Sequence, residues 1–161
     1  MQRLWAPWRM KYITEEPRPG CLFCRVIEHP DDEDAALVVW RPEGALVLLN
    51  KYPYNPGHAM VAPVAHLPGL EDLDEQQTTD LMRALKRTIT VLKAELKPEG
   101  FNIGANVGRV AGAGMPDHVH LHVVPRWNGD TNFMPVLGDV KVVNEHLLQT
   151  AAKLRDGFAS S

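Results

Sequence analysis

The run His118-Val119-His120-Leu121-His122 places three imidazoles at alternating positions. Side chains alternate across a β-strand, so a strand here puts His118, His120 and His122 on one face and Val119, Leu121 and Val123 on the other. Neighbouring imidazoles on that face would stand about 7 Å apart. Two chemistries suit the pattern. Histidines projecting from strands can ligate a metal, with His58 as a further ligand from a neighbouring strand. Imidazole is also a nucleophile near neutral pH, and it leaves well from phosphorus when protonated. The loop just before the run, Gly108-Arg109-Val110-Ala111-Gly112-Ala113-Gly114, has glycines that let backbone N–H groups approach phosphate oxygens. Nucleophile and oxyanion donors would then come from adjacent residues.

Two cysteines, Cys21 and Cys24, are spaced C-x-x-C. Two are too few for a disulfide scaffold, and a domain of this size does not need one. The spacing reads either as half of a metal site or as a redox pair. Thioredoxin-like pairs follow a strand, whereas this one follows Pro17, Pro19 and Gly20, which favours metal.

These residues need elements to hold them. Leu37 to Trp40 and Ala45 to Leu49 are β-rich runs around the turn Pro42-Glu43-Gly44, a hairpin pattern. A loop with two prolines, Asn50 to Gly57, leads to a third strand over 58–63. One long helix follows. Asp72 or Asp74 caps it, Gln77 completes a capping box with Asp74, and Leu81, Leu85, Thr88, Leu92 and Leu96 recur at helical spacing. Pro98 and Gly100 end it. Phe101 to Val107 reads as a fourth strand, His118 to Pro125 as a fifth, and Val143 to Arg155 as a second, weaker helix. The order lacks regular βα alternation, so the expected class is α+β on an antiparallel sheet. Pro30-Asp31-Asp32-Glu33-Asp34 reads as a solvated acidic turn. Trp5 and Trp8 are too apolar for a free tail and are expected to pack on the domain or on a partner subunit.

The 161 residues fit one domain with a full core, expected as an arm over 1–20, a catalytic core over 21–135 and a C-terminal helix over 136–161. Hydrophobic residues at 45% and charged residues at 23% are ordinary for a globular chain. A formal net charge of −3 argues against a nucleic-acid polymer as partner. No apolar stretch reaches the roughly 20 residues of a membrane span, and the N-terminus lacks the apolar core of a secretory signal. A cytoplasmic protein is expected.

The histidine run resembles the motif of the histidine triad (HIT) superfamily, His-φ-His-φ-His-φ-φ, met in full by His118 to Val124 and followed by Pro125-Arg126. The segment Leu49-Asn50-Lys51-Tyr52-Pro53-Tyr54-Asn55-Pro56-Gly57-His58-Ala59-Met60-Val61 is similar to that family's first conserved block. The outer segments, Leu4-Trp5-Ala6-Pro7-Trp8-Arg9 and Trp127-Asn128-Gly129-Asp130-Thr131-Asn132-Phe133, are most similar to the bacterial branch often assigned as diadenosine tetraphosphate phosphorylases (ATP adenylyltransferases).

The resemblance implies a five-stranded antiparallel sheet with two helices, and a homodimer in which two sheets join. It implies two-step nucleotidyl transfer on an adenine nucleotide or a dinucleoside polyphosphate such as Ap4A. His120 would attack the α-phosphorus, and water or phosphate would then release AMP or ADP. His122 would contact the α-phosphate and help protonate the leaving group, His58 would support the triad, and His118 completes it. Asn50 would hold the ribose. Asn106 and the backbone of Gly112, Ala113, Gly114 and Met115 would hold phosphates. Many family members carry glutamine or serine in that loop. This chain does not, so the contacts must be backbone or come from Arg109.

In some bacterial members, and in the related galactose-1-phosphate uridylyltransferases, a C-x-x-C pair joins two histidines on zinc. The matching residues here are Cys21, Cys24, His66 and His118, a closed set suited to structural Zn2+. No organic cofactor is implied. Two other outcomes stay open: a nucleoside phosphoramidase or adenylyl-amino-acid hydrolase, and a non-catalytic zinc-stabilised nucleotide-binding module. Trp127, Tyr52 and Tyr54 either stack on or flank a base or are core or interface residues. His29 and His146 are expected to be unremarkable at the surface.

Overall fold

The computed structural model describes residues 19–130 and 146–160. Expectations for Trp5, Trp8, the segment Thr131-Asn132-Phe133 and the proposed helix start at Val143 lie outside the described residues. Five strands form one antiparallel sheet: β1 Val38–Trp40, β2 Ala45–Leu49, β3 Ala59–Pro63, β4 Gly100–Gly104 and β5 Leu121–Arg126. Their spatial order is β1-β2-β3-β5-β4, so β5 lies between β3 and the edge strand β4. Among the described residues there are three α-helices: α1 Leu22–Glu28, α2 Glu75–Leu96 and α3 Leu147–Ala159. The expected class holds, but two helices is a correction to three. α1 has only seven residues and no side-chain hydrogen bond at its N-cap Cys21, so it carries neither a helical period nor a capping signal.

Both faces of the sheet are covered at β2 and β3, which is why all of these two strands is buried. Val47, Leu49, Val61, Leu121 and Val123 face α2 and α3 through Leu81, Leu85, Leu92, Leu154 and Phe158. Leu46, Leu48, Met60 and Ala62 face the other way, onto Phe23 and Val26 of α1. The α2 periodicity therefore reads correctly as a core face. Its N-terminus is closed by a reciprocal capping box, Asp74 accepting from the Gln77 N–H at 2.8 Å and Gln77 accepting from the Asp74 N–H at 3.0 Å. Replacing fully buried Leu92 by alanine would cost about 2–5 kcal/mol.

Two expected strands are shorter than read. β4 ends at Gly104, and β5 begins at Leu121, three residues after His118. His118 to His120 lies before the ladder, where the Val119 N–H donates to the Leu67 carbonyl at 2.7 Å. α3 runs past Arg155 to Ala159, with Arg155 reaching back to the carbonyls of Val38 and Ala36. Residues 33–37 form a 3-10 turn rather than a solvated loop, and Asp34 in it is buried.

Candidate functional site

The register of the sheet assembles the triad. His122 pairs with Met60 on one side and Gly104 on the other. Asn50 directly follows β2 and His58 directly precedes β3, and the Asn50 N–H donates to the His58 carbonyl at 2.8 Å. Gly57 stands at φ +75° at this turn, and a side chain there would run into Leu96 of α2. The turn brings His58, Asn50, Tyr52 and Tyr54 to the end of the sheet where His120 and His122 emerge. The triad is more compact than a flat strand would give: the His120 and His122 ring centroids are 4.9 Å apart, and those of His58 and His122 are 5.2 Å apart.

Hydrogen-bond partners assign the protons on these rings. A carbonyl oxygen can only accept. His120 Nδ1, 2.9 Å from the His118 carbonyl, is therefore a donor, and the neutral ring keeps its lone pair on Nε2. By the same rule His118 Nε2 donates to the Pro63 carbonyl at 2.9 Å, leaving the Nδ1 lone pair toward Cys21 Sγ at 3.2 Å and Cys24 Sγ at 3.7 Å. The Tyr54 N–H donates to His58 Nδ1 at 3.1 Å. Neutral His58 must then carry its proton on Nε2 and donate it to His122 Nδ1, 3.0 Å away. The neutral His122 ring accordingly holds its proton on Nε2. Burial lowers the pKa of both His118 and His120, opposed by their bonds to the Pro63 and His118 carbonyls, so both favour the neutral form. Phe23 of α1 packs on both rings, with centroids 4.9 Å from each.

A single pocket joins the expected binding residues. His120, His122, Asn50, Asn106, Gly112, Gly114 and Met115 line it, while Ala113 and His118 do not. Asn50 is itself held, its Oδ1 accepting from the Tyr52 N–H at 2.8 Å. Tyr52 and Tyr54 also line the pocket, whereas Trp127 does not. Farther in, the wall is apolar, with Leu22, Phe23, Leu37, Leu48 and Met60. Arg25 and Asp34 stand beside it, Arg25 Nη2 bonding Asp34 Oδ2 at 2.8 Å and Arg25 Nε lying 3.3 Å from Asp32 Oδ2. The acidic turn thus tethers α1 and belongs to the pocket, which corrects its reading as merely solvated. No local signal in the sequence marks this role, because the burial of Asp34 is created by α1. His146, expected to be unremarkable, caps α3 by accepting from the Leu148 N–H at 3.3 Å.

Cys21, Cys24, His66 and His118 form a second cluster whose ligand atoms all lie within 4.8 Å of one another. His66 Nδ1 is 3.2 Å from Cys24 Sγ. Bonds of about 2.3 Å to sulfur and 2.0–2.1 Å to nitrogen give tetrahedral edges of roughly 3.4–3.8 Å, so this donor set fits one tetrahedral ion. The His118 bond to Pro63 orients its ring for ligation. Burial, then the hydrogen bond and charge of Cys21, pushes the Cys24 thiol up to about 11, so at neutral pH it keeps its proton unless a cation replaces it. One side of this cluster is Cys21, the N-cap of α1, and the other is two residues from His120.

Comparison with known proteins agrees with this geometry. The HIT domain family model matches residues 31–129. A Mycobacterium tuberculosis protein named AP-4-A phosphorylase is 40% identical over 99% of this chain and 85% of its own length. An adenosine 5'-monophosphoramidase of Schizosaccharomyces pombe is 30% identical over 68% of this chain and 76% of its own. A zinc-bound histidine triad family protein of Mycobacterium smegmatis superposes with a TM-score of 0.70 at 26% identity, covering 87% of this chain and 94% of the other. The triad geometry, the matched span and relatives that align along most of their own lengths lead to one conclusion: this chain belongs to the HIT domain family.

Proposed function

We propose that this protein transfers a nucleotidyl group through His120, cleaving dinucleoside polyphosphates such as Ap4A by phosphorolysis or hydrolysis. The observation that carries the reading is the proton assignment at His120. Its Nδ1–H is committed to the His118 carbonyl, and its Nε2 lone pair belongs to a ring lining the pocket. Nε2 attacks the α-phosphorus, the P–O bond to the leaving group breaks, and with Ap4A the leaving group is ATP. Developing charge meets the Nε2–H of His122 and the backbone of Gly112 and Gly114, while Asn50 and Asn106 hold ribose and phosphate. Phosphate attacking the phosphorus of adenylyl-His120 releases ADP; water releases AMP. His58 keeps His122 a donor, and the apolar wall from Leu22 to Met60 suits a nucleobase.

His118 serves position rather than chemistry in this reading. With Cys21, Cys24 and His66 it would hold a structural zinc ion, which ties α1 to the segment bearing His120. Zinc would supply charge neutralisation and rigidity there, not an open coordination site. Thiol ligands of this kind suit a reducing, cytoplasmic setting. Among the described residues no helix is long and apolar enough to cross a membrane. The edge strand β4, with Ile103 46% exposed, is the surface through which two sheets would join in a homodimer.

The kinship to the AP-4-A phosphorylase favours phosphate as second nucleophile. The kinship to the phosphoramidase supports a second reading, cleavage of a P–N bond by the same His120. Product analysis separates them. ATP plus ADP, formed from Ap4A only with phosphate, is the expected result, and ATP plus AMP identifies a hydrolase. Slow Ap4A cleavage beside fast cleavage of an adenosine phosphoramidate overturns the preferred substrate.

A further inference from the structure

A clasp at the end of β5 takes no part in the chemistry above. Asp130 Oδ2 accepts from Asn55 Nδ2 at 2.8 Å, from Arg126 Nε at 2.5 Å and from the Trp127 N–H at 3.2 Å. Its Oδ1 accepts from Arg126 Nη2 at 2.8 Å, and Arg126 Nη1 bonds Asn102 Oδ1 of β4 at 2.6 Å. The second proton of Asn55 Nδ2 goes to the Pro125 carbonyl at 3.0 Å. Both amide protons of Asn55 are therefore committed to the C-terminal end of β5, the strand whose start carries the triad.

Asn55 is also the pivot of the loop beside His58. Its carbonyl accepts the His58 N–H at 3.1 Å, and the residue before it supplies the Tyr54 N–H to the His58 ring. The Tyr54 ring stacks on that imidazole, 5.0 Å between centroids and 15° between planes. We propose that Asn55 and Asp130 are positioning residues that fix the tautomer of the His58–His122 pair, and with it the direction of the hydrogen bond that His122 offers an α-phosphate.

The argument follows one proton. With the Tyr54 N–H on His58 Nδ1, only Nε2 of neutral His58 can carry hydrogen, and it must donate to His122. Withdraw the Tyr54 N–H and both tautomers of His58 become available. In the reversed one, His58 Nε2 accepts, His122 Nδ1 donates, and His122 Nε2 presents a lone pair instead of a proton. A lone pair repels a phosphate oxygen where an N–H would bind it. Loop placement by Asn55 thus decides the sign of a contact several residues away, a role of the kind that outer partners of functional histidines fill. A clasp that merely stapled the loop to β5 would affect stability and leave ring tautomers alone.

The inference rests on the nucleotidyl-transfer reading for its catalytic consequence, though not for the tautomers. The test uses full-length protein with its metal retained and 15N-labelled histidine. Long-range proton–nitrogen NMR correlations in the absence of substrate read the tautomers, and steady-state kinetics with Ap4A and phosphate read the rate. Wild type is expected to show His122 protonated at Nε2. In Asn55→Ala, His122 becomes a mixture of tautomers, kcat falls about tenfold or more, and KM changes little. Asp130→Asn, which keeps an acceptor for Asn55 but weakens the hold of Arg126, shows the same changes to a smaller extent. It carries the test alone if Asn55→Ala does not fold. Wild-type tautomers in the variants, or redistributed tautomers with wild-type kcat, overturn the proposal. Redistributed tautomers in a protein that never cleaves Ap4A support the clamp and overturn the substrate reading instead.

Discussion

His120 and His122 are two residues apart on one face, and hydrogen-bond partners make them chemically opposite. A carbonyl opposite Nδ1 leaves His120 with a lone pair at Nε2, whereas a donor opposite Nδ1 leaves His122 with a proton there. The same scale governs Asp34. Its removal in Asp34→Ala strips Arg25, whose side chain is 20% exposed, of its 2.8 Å partner, and about 1–3 kcal/mol of stability should be lost in urea denaturation. Asp130 gives a pH prediction. Hydrogen bonds from Arg126, with help from the Trp127 N–H and Asn55, hold its carboxyl well below the usual range against the opposing effect of burial. A depressed folded-state pKa contributes stability above the unfolded value, near 3.9, and that stability fades as pH falls toward the folded value. The stability gap between wild type and Asp130→Asn should therefore be largest above about pH 5 and close on acidification. A constant gap down to pH 2 would refute the linkage. The triad is legible in sequence from its alternation and Cys21 and Cys24 from their C-x-x-C spacing, whereas His66 and His118 join the cysteines only through the family resemblance. Asp34 and the Asn55–Asp130 clasp are not, because their partners arrive through tertiary contact.

At the level of elements, the long helix, the hairpin and the third strand declare themselves by periodicity, capping and turn residues. α1 does not, being seven residues long with an N-cap that makes no side-chain bond. β5 is read as starting at His118 because alternation continues there in sequence, yet the Val119 N–H is taken by Leu67 and the ladder waits until Leu121. Two predictions belong to this scale. Gly57→Ala forces a side chain at φ +75° against Leu96, and stability should drop by more than about 1 kcal/mol, with loss of activity because the turn carries His58. Unchanged melting would show that the turn relaxes freely. Chelation of the proposed zinc should lower the melting temperature and expose two thiols to a colorimetric reagent, since Cys21 and Cys24 are free of disulfide. Freshly purified protein that contains no zinc and melts identically with chelator would remove the proposed staple.

Among the described residues the sheet carries helices α2 and α3 on one face and α1 on the other, and the pocket opens where the α1 side meets the end of the strands. That arrangement puts two clusters of histidines side by side: one gathers with Cys21 and Cys24 at the start of α1, the other opens to the pocket. It also leaves β4 at the edge. Light scattering should give twice the chain mass, and Ile103→Asp should shift it toward the monomer; a wild-type monomer at micromolar concentration would count against the joined sheets. The central claim, however, is that His120 is the nucleophile. Its most direct measurement is Ap4A turnover by His120→Ala in the presence of phosphate, alongside calorimetric binding of AMP. The expected result is a loss of kcat on the order of a thousandfold or more with AMP still bound. Turnover at the wild-type rate in that variant would contradict the account.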